Sequence, residues 1–211
     1  MGVTIYYRGV LKDPGSVEQL INEVGDIAKS NNWKYHILND PWDAPVTVHV
    51  INTDEDSQLE GNAGLKGIVL DPHPDLGGLS LLFDQEGTCR TIDEMAQPPG
   101  KRTGVSHVST QYAGLDMHMQ LVHFLEYVGV TYMQEWQIED DSGYHTHHDP
   151  EKAKEIFDAV EDAIDAVTEA FDTIEIPDDL EGREEEFLAM VEKRIRTYLP
   201  GVEIKRIDEE E

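Results

Sequence analysis

The chain has 211 residues, 39% of them hydrophobic, which is enough for one packed core or for a domain with an appendage. Its 44 Asp and Glu against 16 Lys and Arg give a formal charge of −28, and such a surface repels nucleic-acid phosphates and anionic lipids, so we expect no nucleic acid and no membrane as partner. No stretch approaches the roughly 20 consecutive apolar residues of a membrane-spanning helix.

The first 38 residues predict a β-α-β unit. Residues 3–11 (VTIYYRGVL) are rich in β-branched and aromatic side chains and predict a strand, as do residues 33–38 (WKYHIL). Between them an apolar stripe at helical spacing predicts a helix, which Asn31 and Asn32 end. The members of the stripe are Val17, Leu20, Ile21, Val24, Ile27 and Ala28.

The middle of the chain predicts β structure. Residues 46–51 read as a strand, and residues 67–70, 79–83 and 88–92 as a meander. The turn at residues 84–87 (DQEG) suits a type I turn that is closed by glycine.

A second strand-helix-strand pattern follows, with strands expected at 105–112 and 132–138 and a helix at 115–128. We therefore predict an α+β fold for residues 1–148: a mixed sheet built from two β-α-β units around a β meander. In such a unit, parallel neighbouring strands place their C-terminal loops at one edge of the sheet, where ligands of open α/β sheets tend to bind.

The last third of the chain predicts a helical hairpin over residues 149–200, packed on the sheet domain, with a short strand and an acidic tail at 201–211. Asp149 and Pro150 suit the N-cap and the first helical position. An apolar seam with alternating spacings of 4 and 3 follows, made of Ala153, Phe157, Val160, Ile164, Val167, Phe171 and Ile174. The seam predicts packing within the hairpin, and a homodimer through residues 153–174 is the alternative.

The segment 143–149 (GYHTHHD) holds three histidines and an aspartate, and its loop is expected near residues 112–116. In an extended segment, His145 and His147 project to the same side. With His118 and Asp116 they form the metal-ligand set that we predict, suited to a divalent ion such as zinc or iron.

Other interpretations of this segment stay open. The helix that begins after Asp149 favours an anion at its N-terminus, and Asp149 as N-cap would be unavailable to a metal. The simplest interpretation is a polar loop that caps the helix. His118 also falls on an apolar stripe and suits a hydrogen-bonded core position, whereas His123 falls on a polar face of the same helix.

Two classes of function follow from these patterns. The first is a soluble, non-catalytic domain whose acidic surface binds a basic protein partner, although solubility or salt adaptation explains the acidity more simply. The alternative is a metal-dependent small-molecule enzyme or a metal-binding protein with the His cluster as its site. A single cysteine, Cys89, and the absence of a secretory pattern at residues 1–6 favour a cytoplasmic location.

Overall fold

A computed structural model of the chain describes residues 2–52, 57–172, 187–191 and 193. The strands are β1 (Thr4–Leu11), β2 (Lys34–Asn39), β3 (His49–Asn52), β4 (Ser57–Glu60), β5 (Lys66–Asp71), β6 (Leu79–Phe83), β7 (Ser106–Ser109) and β8 (Met133–Asp140). The helices are α1 (Val17–Ser30), α2 (Ile92–Met95), α3 (Gly114–Tyr132), α4 (Tyr144–His147) and α5 (Pro150–Asp172). This mixture of helices and antiparallel sheets agrees with the predicted α+β class.

The strands form two three-stranded sheets, β7-β1-β8 and β2-β5-β6, and a separate β3-β4 pair, all with antiparallel pairing. A short segment after β6 links the two larger sheets. Thr88 bridges Val10 of β1, and Cys89 bridges Phe83 of β6 while its N–H donates to the carbonyl of Gly9 at 2.9 Å. The segment predicted as a third meander strand is therefore a pair of bridges, after which α2 begins.

The strands β7 and β8 run in the same direction, but β1 lies between them and pairs antiparallel with both. This corrects the expected direct parallel pairing of residues 105–112 with 132–138. The physical reason is the alternation of buried and exposed side chains along β1 and β8, which suits a sheet with one face to solvent. Directly paired parallel strands are usually buried on both faces and more continuously apolar.

The main core lies between the sheets and the helices α1 and α3. The predicted apolar stripe of α1 lies in this core, with Ile27 only partly buried. The ring of Trp33, between α1 and β2, meets Phe124 of α3 edge-to-face with centroids 5.9 Å apart. Each fully buried apolar side chain of this kind stabilises the fold by roughly 1.5–3 kcal/mol relative to exposure.

Trp136 of β8 packs where the backbone of α3 comes close to the sheet. Its Nε1 donates to the carbonyl of Leu125 at 3.0 Å, and its ring lies 5.7 Å from that of Tyr7. A Cβ at Gly129 would lie 2.2 Å from Trp136 Cδ1, and a Cβ at Gly9 would lie 2.0 Å from the carbonyl oxygen of Glu135. Glycine at both positions is therefore required by this close approach.

The chain divides into two compact units, one of Gly2–Lys154 and one of Met1 with Glu155–Glu211. In α5, Ala153 and Phe157 are buried and Val160, Ile164 and Val167 are half-buried, whereas most residues between them are exposed. Residues 187–191 and 193 are helical, whereas the rest of the predicted second hairpin helix and all of segment 201–211 lie outside the described residues. Within the described ranges, every helix is too short or too polar to span a bilayer.

Two helical glycines give a matched test of the close approach at Trp136. We expect Gly129→Ala to lower the free energy of unfolding by about 1–3 kcal/mol, because the added methyl group must displace the indole ring. Gly25→Ala meets Tyr35 only at 3.8 Å, so its better helix propensity should raise stability by about 0.5–1 kcal/mol. Urea unfolding followed by circular dichroism measures both, and equal effects of the two variants would contradict the assigned packing.

Candidate metal centre

A buried polar network ties the chain after β8 to α3. His118 of α3 is fully buried, and its Nδ1 lies 2.7 Å from Thr110 Oγ1 while its Nε2 lies 2.8 Å from Ser142 Oγ and 3.1 Å from Asp140 Oδ1. The Thr110 hydroxyl donates to the carbonyl of Val3, and the Ser142 hydroxyl donates to Asp140 Oδ2. Each hydroxyl therefore contacts both an oxygen acceptor and a ring nitrogen of His118, so that His118 and Asp140 belong to one buried hydrogen-bonded network.

Asp140, at the end of β8, is the acceptor at the centre of this network. Besides His118, it accepts from the backbone N–H of Ser142 at 2.8 Å and from that of His145 at 2.9 Å. Burial opposes ionisation of this carboxyl, but the hydrogen bonds from His118 and from the backbone of His145 and Ser142 prevail and lower its pKa to about 2. Asp140 thereby fixes the turn that leads into α4.

Ser142, His118 and Asp140 are the residue types of a hydrolytic triad, but their arrangement does not suit that chemistry. A triad needs the serine and the acid on opposite ring nitrogens of the histidine. Here both contact Nε2, while Nδ1 contacts Thr110. Ser142 is also 6% exposed and His118 is 0% exposed, so a substrate has no access. The network has a positioning role.

A second cluster, the His-Glu cluster, consists of His123, Glu126, His145 and His148. His123 and Glu126 lie one turn apart on α3, and His145 and His148 lie one turn apart at α4 and its C-cap. Glu126 Oε1 accepts from His145 Nδ1 and from His148 Nε2, each at 2.9 Å. One possible ligand atom from each of His123, Glu126 and His148 lies within 4.8 Å of the other two.

Tyr144 connects the His-Glu cluster to the buried network. Its hydroxyl lies 3.1 Å from His123 Nε2, and its backbone N–H donates to Ser142 Oγ at 3.1 Å. The rings of His123 and His148 are nearly parallel, with an interplanar angle of 9° and centroids 6.0 Å apart. The buried Tyr144 ring lies 5.5 Å from each of them, so it orients both imidazoles.

The cluster is open to solvent and includes an unusual backbone conformation. Side-chain exposure is 51% for His148, 31% for His145 and 26% for Glu126. His148 has a φ of 48°, a left-handed conformation that few non-glycine residues adopt. This conformation turns the chain from α4 into α5 and is of the kind that is found at functional sites.

Asp149 caps α5, as the sequence predicts. Its Oδ1 accepts from the backbone N–H groups of Glu151 at 3.1 Å and Lys152 at 3.4 Å. The same N–H groups are the donors that an external anion would need at this helix end. The arrangement therefore removes the basis of the anion interpretation, and it leaves Asp149 outside the cluster.

The four predicted ligands lie in different surroundings. His145 contacts Glu126 in the His-Glu cluster, whereas His118 is held in the buried network. His147 is exposed on α4, and Asp116 is exposed in the first turn of α3. Among the described residues, the group with ligand atoms close enough for a metal contains His123, Glu126 and His148, and none of the four predicted ligands.

The sequence analysis did not bring His123, Glu126 and His148 together, because it considered segment 143–149 in an extended conformation. In that conformation the i,i+2 residues His145 and His147 share one side, but residues 144–147 form a helical turn, in which i,i+3 neighbours meet. The same i,i+3 relation between His123 and Glu126 on a polar helix face was the signal that was available in the sequence.

No family model, curated protein or solved structure matches the chain. The geometry of the His-Glu cluster is therefore the basis for inferring a function.

The pKa of Asp140 gives a pH-dependent prediction. The lowering of this pKa from the ordinary 3.8 to about 2 corresponds to about 2 kcal/mol of stability. This contribution is fully present when the pH is above 3.8, and it is lost as the pH falls through the lowered pKa. We expect Asp140→Asn to lower the free energy of unfolding by about 2–3 kcal/mol at neutral pH, and the difference from wild type to shrink towards pH 2.

Chemical denaturation at a series of pH values measures this difference. Asp141→Asn is the matched control, because Asp141 is exposed and its carboxylate accepts one bond, from the Thr4 N–H at 3.1 Å. It should cost less than about 1 kcal/mol. A loss in Asp140→Asn no larger than in this control would contradict the central role of Asp140.

Proposed function

We propose that this protein binds one divalent transition-metal ion, zinc or iron(II), through His123, Glu126 and His148. The observation that carries the proposal is the placement of two imidazoles and one carboxylate with ligand atoms within 4.8 Å of one another at the surface. Two histidines and one carboxylate are the protein ligands of many catalytic zinc sites and of non-haem iron sites.

The distances within the cluster support a metal of this size. Ligand atoms around a tetrahedral zinc lie about 3.3 Å apart, given Zn–N bonds of about 2.0–2.1 Å. His148 Nε2 and Glu126 Oε1 are 2.9 Å apart, so this edge is already close to that separation. The other two distances between ligand atoms are at most 4.8 Å. Small side-chain rotations can shorten them, because the three side chains are at least partly exposed.

Residues around the three ligands provide the support that metal sites need. Tyr144 holds His123, and His145 donates to the Glu126 carboxylate, which are the contacts that fix ligand orientation in known sites. Asp149 neutralises part of the positive field at the start of α5, next to His148. A net charge of −28 also favours cations at the surface.

A metal held by three protein ligands at an exposed site keeps positions for water or substrate, and there it supplies Lewis-acid chemistry. The expected basic protein partner and the homodimer through residues 153–174 stay predictions.

The proposal is tested by titrating chelator-treated protein with Zn²⁺ and with Co²⁺. We expect one metal ion per chain by calorimetry, and a visible Co²⁺ spectrum of low coordination number. His123→Ala, Glu126→Gln and His148→Ala should each weaken binding at least about 10–100-fold, since loss even of outer contacts costs that much in metal sites.

His147→Ala is the matched control, because His147 is the neighbour of His148, is exposed and lies outside the close group. It should bind metal like the wild type, with unchanged circular dichroism. Loss of binding in His147→Ala with retention in His123→Ala would instead favour the ligand set predicted from the sequence. No stoichiometric binding in the wild type would refute metal binding and leave the cluster as hydrogen bonds that hold α4 on α3.

A further inference from the structure

A polar cleft of about 380 Å³ lies on the face of the β7-β1-β8 sheet that is turned away from the core. On β1, Ile5 and Tyr7 are buried in the core, whereas Tyr6 and Arg8 are exposed on the opposite face. The charged side chains that line the cleft are Arg8, Arg90 and Glu135. Its volume is within the range of small-molecule sites, about 300–1,000 Å³.

Arg8 is held in place but has no acidic partner in the part of the chain that the structure describes. Its Nε donates to Gln137 Oε1 at 2.7 Å, which fixes the guanidinium at the cleft. The terminal nitrogens make no hydrogen bond or ion pair to any described residue, although the chain carries 44 acids. Terminal guanidinium nitrogens are suited to bidentate binding of a carboxylate.

Glu135 supplies an opposite charge in the same cleft. The register pairs Arg8 with Gln137 and Val10 with Glu135, so Glu135 and Gln137 lie on the same face of β8, about 7 Å apart along the strand. The Glu135 carboxylate is exposed and makes no ion pair or hydrogen bond within the described ranges, with Arg8 or otherwise. Arg90, in contrast, forms an ion pair with Asp84, with its Nε 2.9 Å from Asp84 Oδ2.

We propose that this cleft binds a small zwitterion of the α-amino acid class, with its carboxylate on Arg8 and its ammonium group on Glu135. A ligand with both charges pairs with Arg8 and with Glu135. An anion alone would be repelled by Glu135, and a cation alone would be repelled by Arg8. A zwitterion also has no net charge, so the field of a chain at −28 does not repel it as it repels a phosphate.

The test is an NMR titration of ¹⁵N-labelled protein with L-alanine, with acetate and with ethylammonium. L-Alanine should cause saturable shifts at the amides of Gly9, Thr88 and Gly104, which line the cleft. Acetate and ethylammonium each carry one of the two charges, and each should bind about tenfold more weakly or worse, because one charge-assisted contact is lost. This comparison uses the wild-type protein and does not depend on a variant.

Arg8→Gln and Glu135→Gln should each weaken L-alanine binding about tenfold, while Lys34→Gln, at an exposed position of β2 outside the cleft, should leave it unchanged. No saturable shift with L-alanine into the tens-of-millimolar range would overturn the proposal. Acetate that binds as tightly as L-alanine would also overturn it, in favour of a plain anion site, and so would unchanged binding in both cleft variants.

Discussion

The carboxylate of Asp140 connects three parts of the fold through its hydrogen bonds. It lies on β8 opposite Ile5 of β1, meets His118 of α3, and accepts the backbone N–H of His145 in α4. Only 1% of the Asp140 side chain is exposed, so each of these bonds replaces a water contact that the carboxylate loses on burial. These bonds hold the start of α4 next to α3, and so bring His145 and His148 near His123 and Glu126.

The buried network and the His-Glu cluster therefore differ in their surroundings. The network around His118 is closed to solvent and fixes the backbone, whereas His148 and Glu126 are accessible and bring together groups that bind metals. Buried polar contacts such as His118–Asp140 add little net stability, but removing one partner is costly because the other is left without a hydrogen bond in the core. Their presence here is explained by the precise placement of the α3–α4 contact.

The sheet β7-β1-β8 separates two environments by the alternation of its strands. Ile5 and Tyr7 point to the core with α3, while Arg8 and Glu135 lie on the opposite face. A sheet whose neighbours were directly paired parallel strands would be covered on both faces and would have no such cleft. The order of the strands, with β1 in the centre, is thus what leaves this face of the sheet open to solvent.

The sequence by itself determined the local structure: the apolar stripe of α1, the cap at Asp149, and the α+β class follow from spacing and from short-range chemistry. It also indicated segment 143–149 as a candidate site. Only the tertiary structure decided that β1 lies between β7 and β8, and that His148 meets Glu126 while His118 is enclosed in the core. Strand order, and contacts between residues about 20 positions apart, depend on how the elements pack. The periodicity of a single sequence shows which face of an element is apolar, but not which other element packs against that face.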